Sequence, residues 1–340
     1  MIKALKNFEL ENINETGTRV LVRTDFNVPF RVQQTIPTIK YLIKKKAKII
    51  LISHFGRPDG GELKFSLKPI VQKLEKMLKK KVVFVNDCLG KKVEKEIEKL
   101  KPGQIILLEN LRFYKEEKEN DKNFAKKLSK LADVYVNDAF SASHRAHASI
   151  VGVPQFLPSA AGFLLEKEIK ILTDLMKKPK RPLVVIIGGA KIETKVKVIN
   201  KISALADFVL IGGLIEKEIK EKKIIFSYPK KIIKPINEAE ERDIGPKTIK
   251  LFRDKINRAE TIFWNGPLGQ IEKKEFSKGT EEIVKAIIKS KAFSIAGGGE
   301  TVEFINQLGL MKKFDHLSTG GGAMLEFLAG EELPGIKALK

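Results

Sequence analysis

The sequence predicts an α/β fold in two domains, each a parallel sheet flanked by helices. Three observations carry that expectation. The chain has 340 residues, and at about 150 residues per domain this suits two. Its apolar runs are short, continuous and rich in β-branched residues, the mark of strands buried on both faces. Amphipathic stretches of helical period separate several of them, and strands alternating with helices give parallel sheets.

In the first half the predicted strands are Arg19–Thr24, Lys48–Ser53, Val82–Val85, Gln104–Leu108 and Asp133–Val136, with helices at Lys68–Lys80 and Lys122–Leu131. Ligands of parallel sheets bind at the carboxyl ends of strands, so the residues that follow each strand matter most. Asp25-Phe26-Asn27 follows the first and His54-Phe55-Gly56-Arg57 the second. Glu109-Asn110-Leu111-Arg112 follows the fourth, and Asn137-Asp138-Ala139 leads from the fifth to Ser143-His144-Arg145. Arginine is scarce, 10 of the 64 cations, and six of the ten fall before residue 146: Arg19, Arg23, Arg31, Arg57, Arg112 and Arg145. Its planar fork suits carboxylate and phosphate. Several arginines on different loops suit a small, multiply anionic ligand.

The second half repeats the pattern with glycine in place of arginine. Leu183–Ile187 runs into Gly188-Gly189-Ala190-Lys191, and Phe208–Ile211 into Gly212-Gly213. Thr261–Trp264 runs into Asn265-Gly266-Pro267, Phe293–Ala296 into Gly297-Gly298-Gly299-Glu300-Thr301, and His316–Thr319 into Gly320-Gly321-Gly322. Such junctions let backbone approach a ligand closely and aim helix N-termini at anions. Repeated at one topological position, they point to a nucleotide-sized ligand. No GxxxxGK[ST], GxGxxG or GxSxG motif is present, so the P-loop, dinucleotide and serine-hydrolase readings lack their fingerprints. One half built for a polyanion and one for a nucleotide make a phosphotransferase.

Composition bounds the alternatives. Hydrophobic residues are 43% and charged residues 31%, which excludes a disordered chain. The single cysteine, Cys88, excludes a disulfide framework and a cysteine zinc site. The histidines, His54, His144, His147 and His316, form no H-E-x-x-H. Met1 to Asn12 is charged and lacks the apolar stretch of a signal peptide. The longest uncharged run, Ala146 to Leu165, is broken by Pro154 and Pro158, so no membrane span is expected. These features suit a cytoplasmic protein. The net charge of +22 is spread over both halves and carried by lysine, as on a solvated surface; lysine and glutamate enrichment also marks hyperthermophile proteins. Nucleic-acid binding is the rival reading. Aromatic residues are only 7% and do not interleave with arginines as a stacking platform needs, so no specific nucleic acid is expected.

From about residue 17 onward the chain resembles the phosphoglycerate kinases. The shared motifs, in order, are RVLVRTDFNVP (19–29), SHFGRPDG (53–60), LLENLRF (107–113), VNDAFSASHRAHAS (136–149), AGFLLEKE (161–168), GGAKIETK (188–195), DIGPKT (243–248), WNGPLGQIE (264–272), GGGET (297–301) and STGGGAMLEFL (318–328). The resemblance implies two Rossmann-like domains joined by an inter-domain helix and hinge. Residues 1–158 with about 328–340 would hold 3-phosphoglycerate, 159–177 would be the helix, and 178–327 would hold the nucleotide. It implies Mg²⁺-dependent transfer of a phosphoryl group between 1,3-bisphosphoglycerate and ADP, giving 3-phosphoglycerate and ATP. The transfer would be direct and in line on hinge closure, in a monomer without membrane partners.

By motif, the 3-phosphoglycerate site would comprise Asp25, Phe26, Asn27, Arg31, His54, Phe55, Gly56, Arg57, Arg112 and Arg145. The nucleotide site would comprise Gly188, Gly189, Lys191, Lys195, Gly212, Gly213, Asn265, Glu272, Gly297, Gly298, Gly299, Glu300 and Thr301, with Glu300 on the metal. Arg31, Lys191, Lys195 and the Gly320-Gly321 junction would carry catalysis. His147 reads as structural, and Glu109 and Asp138 as loop-orienting. Three departures from the family stand out. Only Phe30 separates Pro29 from Arg31, where a longer hairpin is usual. Glu300 stands where aspartate is usual. The stretch Leu214–Arg242 is short and follows Gly212-Gly213-Leu214 in place of three glycines.

Overall fold

The computed structural model describes residues 3–7, 17–240 and 242–340; most of the Met1 to Asn12 stretch read above lies outside them. The chain folds into two compact units, one running up to Lys170 and including Glu332–Lys340, the other Ile171–Glu331.

The first unit runs β1 (Arg19–Asp25), α1 (Pro29–Lys44), β2 (Lys48–His54), α2 (Lys68–Leu78), β3 (Val82–Val85), α3 (Lys91–Glu98), β4 (Ile105–Leu108), α4 (Lys115–Lys118), α5 (Lys122–Ser129), β5 (Val134–Asn137), β6 (Ser159–Ala161) and α6 (Phe163–Lys177), the last continuing past the unit boundary. Its sheet is parallel in the order β3-β4-β2-β1-β5-β6. Alternate residues build the core: Val20 and Val22, Ile49 and Leu51, and Ile105 and Leu107 pack with Ile39 and Leu42 of α1 and Leu74 and Leu78 of α2. α1 opens on Pro29, whose missing N–H costs nothing in a first helical turn. The turn between β1 and α1 is therefore short, which puts Arg31 in the first turn of a helix. The chain leaves β1 and β5 for opposite sides of the sheet. Their carboxyl ends thus flank the crevice where parallel sheets bind ligands.

The second unit continues with β7 (Leu183–Ile187), α7 (Glu193–Ser203), β8 (Phe208–Ile211), α8 (Leu214–Glu221), β9 (Ile232–Ile233), β10 (Glu238–Ala239), β11 (Asp243–Ile244), α9 (Pro246–Ile256), β12 (Thr261–Asn265), α10 (Lys278–Lys289), β13 (Phe293–Gly297), α11 (Gly299–Gln307), β14 (His316–Leu317) and α12 (Gly321–Leu328); α13 (Pro334–Lys337) belongs to the first unit. The main sheet is parallel in the order β14-β13-β12-β7-β8-β9. Its crevice lies between β12 and β7. A small antiparallel pair, β10 with β11, stands apart.

Two expectations need correction. Ser159–Ala161 is not part of a helix: it pairs with Tyr135–Asn137 as β6, and α6 starts at Phe163. The last strand stops at Leu317, because only His316 and Leu317 pair with β13. Ser318 and Thr319 turn instead toward Gly320.

Candidate active site

In the first unit, register brings the polar residues together. Asp25 pairs with His54 across β1 and β2, and Arg23 with Asn137 across β1 and β5. Asn27 donates to Asp25 Oδ1 from its backbone N at 2.9 Å and from Nδ2 at 2.7 Å. The other Asp25 oxygen accepts from Arg31 Nη1 at 2.8 Å and from Ser141 Oγ at 2.5 Å. Asn27 Oδ1 accepts from Gly56 N at 2.7 Å, and Arg112 Nη1 donates to the Gly56 carbonyl at 2.7 Å. Gly56 has φ +64°, and a Cβ there would lie 2.4 Å from the Phe65 ring, so this turn excludes a side chain. Asn110 bridges the Phe55 and Phe65 carbonyls at 2.8 and 2.9 Å.

Asp25, Asn27, Arg31, His54, Gly56 and Arg112 thus form one network. Arg57 and Arg145 are exposed beside it, and Arg145 adds its charge to that on Arg112. The ring of Phe26 is buried in the core of the first unit and the half-buried ring of Phe55 packs against that core, so what these two positions offer the network is chiefly backbone.

The electrostatics fix protonation. Burial works against the charged form of Asp25, while the facing His54, the Arg31 guanidinium and hydrogen bonds from Ser141 and Asn27 favour it, and the carboxyl lies below its usual range. Burial, against the pull of Asp25 and with the charges of Arg23, Arg112 and Arg31, keeps His54 well below its ordinary value, so it is neutral at pH 7. Burial and neighbouring arginines bring His147 down to about 3. A neutral, buried His147 suits the structural role expected of it. Glu109 receives Ser66 Oγ at 2.6 Å and Leu67 N at 2.8 Å. Asp138 receives Leu164 N at 2.9 Å at the start of α6.

In the second unit, backbone meets backbone at the crevice. Gly188 N donates to the Asn265 carbonyl at 2.9 Å and Gly189 N to the Pro267 carbonyl at 2.6 Å. A Cβ on Gly188 would lie 2.1 Å from the Pro267 oxygen, and one on Gly266 2.2 Å from the Gly188 oxygen. Gly212, Gly297 and Gly298 are crowded by side chains at 2.8, 2.5 and 2.8 Å, and Gly213 is tight against the Pro267 oxygen at 3.1 Å. Asn265 Nδ2 donates to the Gly297 carbonyl at 2.9 Å, and Thr301 Oγ1 accepts from Gly266 N at 2.9 Å. Gly321 approaches Gly298 and Gly299, so the junctions after β13 and β14 lie side by side. The N-termini of α11 and α12 start at these junctions. Each presents backbone N–H groups to an anion.

Lys195 is buried on α7, donating to the Gly188 and Ala190 carbonyls at 2.5 and 3.1 Å. Burial pushes its pKa down to about 8, against the pull of Glu300 and Glu218. Lys191 is exposed, at φ +63°, in a turn held by Glu218, which accepts from Lys191 N at 3.1 Å and Ile192 N at 2.9 Å. Glu300, in the first turn of α11, is exposed. Glu272 is exposed on the turn after β12.

The state of Lys195 gives a pH expectation. The amine is charged below about 8 and neutral above it, so kcat/KM should fall as pH rises through that value. Bound phosphates favour the ammonium form, so the limb in kcat should lie at higher pH. Profiles flat to about pH 9.5, well above that value, would remove Lys195 from catalysis.

Residues 10–227 and 216–331 match the family model for phosphoglycerate kinase. The chain belongs to that family. The phosphoglycerate kinase of Dictyoglomus turgidum is 44% identical, with 98% of each chain covered, and that of Borrelia garinii is 42% identical over 100% of this chain and 99% of the other. The crystal structure of phosphoglycerate kinase from Pyrococcus horikoshii has a TM-score of 0.86 at 32% identity, covering 100% of this chain and 98% of that one. The alignment with the Dictyoglomus relative runs over 387 positions against 340 residues here, so the relative carries segments that this phosphoglycerate kinase family member lacks. The direct step from β1 into α1 fits such shortening.

Sequence reasoning passed over Ser141, which holds Asp25, and three buried residues behind the network, Arg23, Glu117 and Ser149. Ser141 and Ser149 are ordinary loop residues in sequence. Glu117 sits in the run KEEKEN, which reads as a solvated face, yet it is fully buried. Arg23 alone left a signal: it is a charge inside an otherwise apolar strand.

Proposed function

We propose that this phosphoglycerate kinase family member transfers a phosphoryl group reversibly between 1,3-bisphosphoglycerate and ADP, giving 3-phosphoglycerate and ATP. The observation that carries the reading is the division of chemistry between the units: an arginine–histidine network on one, convergent glycine junctions with two lysines on the other. In this reading the first network holds the phosphoglycerate through Arg57, Arg112, Arg145 and His54. Asp25 stays ionised and keeps Arg31 oriented. The glycine junctions hold the nucleotide phosphates, which backbone approaches most closely where no side chain intervenes.

Phosphoryl transfer asks little covalent chemistry of a protein; it asks for alignment and for neutralisation of charge on the transferring group. Arg31 and Lys195 supply fixed positive charge to its oxygens. Lys191 neutralises nucleotide phosphate, and the α12 N-terminus at Gly320-Gly321 adds backbone donors. Among the described residues no group of three or more His, Cys, Asp or Glu side chains is placed to hold a metal ion. Glu300, an exposed carboxylate in the first turn of α11, fits as the one protein ligand of a Mg²⁺ that would be carried chiefly by nucleotide phosphate and water. When bound, Mg²⁺ supplies charge neutralisation on the nucleotide oxygens. We place the enzyme in the cytoplasm, as a monomer; no helix among the described residues is long and apolar enough to cross a membrane.

Calorimetry tests the assignment. 3-Phosphoglycerate alone and MgADP alone should each bind with one-to-one stoichiometry. Heats that vanish for both ligands on modest addition of NaCl would show a general polyanion binder using its +22 charge.

A further inference from the structure

Behind the arginine–histidine network lies a second buried layer. Arg23 is fully buried in the middle of β1. Its Nε donates to Ser149 Oγ at 2.8 Å, its Nη1 to the Thr24 carbonyl, and its Nη2 lies 3.2 Å from His54 Nδ1. Burying a guanidinium is costly unless it is paired and hydrogen-bonded. The carboxylate that answers it is Glu117, also fully buried, with Oε1 at 3.8 Å from Nη2. Glu117 accepts from Ser149 N at 2.8 Å and from Ser149 Oγ at 2.6 Å. Tyr135 pins the same serine by donating to its carbonyl at 2.7 Å.

The polarity of this chain of contacts follows from proton counting. A hydroxyl has one proton. Ser149 gives it to Glu117, so a lone pair of Oγ must face Arg23. A guanidinium only donates, so His54 Nδ1 must accept, and the one proton of the neutral ring lies on Nε2. Asn27 Nδ2 stands 3.1 Å from Nε2, but its protons have acceptors in Asp25 Oδ1 at 2.7 Å and the His54 carbonyl at 3.2 Å.

We propose that Glu117 is a positioning residue: acting through Ser149 and Arg23, it sets the tautomer of His54 so that the ring offers an Nε2–H donor to an anionic ligand. Burial raises Glu117, while Arg23, Ser149 and Arg112 favour its ionised form. His147 Nδ1, 3.8 Å from Glu117 Oε1, faces the same carboxylate. Partners of this outer kind, which orient a ligand-contacting imidazole, are worth about tenfold to a hundredfold in activity at metal sites. A similar loss is expected here.

The kinetic part of this proposal rests on the function proposed above; the spectroscopic part does not. The protein has four histidines, so long-range ¹H–¹⁵N spectra of the imidazole rings are assignable. The wild-type spectrum should show His54 neutral with its proton on Nε2. Glu117→Gln and Ser149→Ala should shift the ring toward the Nδ1–H form. They should lower kcat/KM for 3-phosphoglycerate about tenfold or more while leaving KM for MgATP unchanged. Glu117→Asp, which keeps the charge, should retain most of both properties. An Nδ1–H ring in the wild type overturns the proposal whatever the variants do. So does an unchanged tautomer with kcat/KM within threefold in folded Ser149→Ala, the milder variant. If the wild type has no activity toward 3-phosphoglycerate, the tautomer shift alone decides.

Discussion

Arg31→Ala should lower kcat by about a thousandfold and leave the affinity for MgADP within twofold of the wild type. Charge supplied by a single arginine to a transferring phosphoryl group is worth about 10³–10⁵ in rate in related chemistry. Arg31 is suited to that task by its setting. It stands in the first turn of α1, directly after a proline-started helix begins. Asp25 fixes its guanidinium at 2.8 Å, and Asp25 is itself held by Asn27 and Ser141. The short turn from Asp25 to Pro29 leaves the arginine little freedom, so less ordering is needed when substrate binds. The nucleotide residues belong to the other unit, which is why MgADP affinity should not change. A tenfold loss of that affinity, measured by calorimetry, would show that Arg31 supports the fold or the nucleotide site instead.

Gly266→Ala is expected to act on the opposite half. Gly266 has φ +90°, and an added Cβ would lie 2.2 Å from the Gly188 oxygen and 2.4 Å from its carbon. Both obstacles are backbone, so no rotamer relieves them. Overpacking of this kind costs about 1–3 kcal/mol, and the left-handed backbone adds about 1–2 kcal/mol. The β7 and β12 junctions would be forced apart where they should hold phosphate. MgADP affinity should drop at least about a hundredfold, with 3-phosphoglycerate affinity unchanged. Gly299→Ala separates the two causes: nothing of the protein lies within 4 Å of its added Cβ, so a loss there reports the space the ligand itself needs. Equal losses at both positions would mean that the ligand, not the neighbouring backbone, excludes the side chain.

The fold was largely legible because its main strands are continuous apolar runs buried on both faces, and no other element in this chain has that pattern. Val82–Val85, Leu183–Ile187 and Phe208–Ile211 have the bounds read from sequence, although Val82–Val85 is an edge strand whose Val83 is exposed, not buried on both faces. The strands that escaped, β6, β9, β10 and β11, have two or three residues, too short to carry a period. The site was legible where chemistry stood out against background: arginine among lysines, paired glycines after strands. It was not legible where a role depends on distant partners. Glu117 and Arg23 are 94 residues apart, and a buried glutamate in a run of charges has the same local pattern as an exposed one. Phe26 and Phe55 flank polar motifs, and only tertiary packing reveals that their rings turn inward.

The central claim, phosphoryl transfer to the carboxyl of 3-phosphoglycerate, predicts a specific product. With 3-phosphoglycerate, MgATP and hydroxylamine present, the protein should form an acyl hydroxamate as the acyl phosphate is trapped. Omitting 3-phosphoglycerate or MgATP should abolish it, and Arg31→Ala should reduce it to about a thousandth of the wild-type rate. ADP release without hydroxamate, at a rate independent of 3-phosphoglycerate, would mean that the nucleotide site hydrolyses ATP and that the arginine–histidine network serves some other anion.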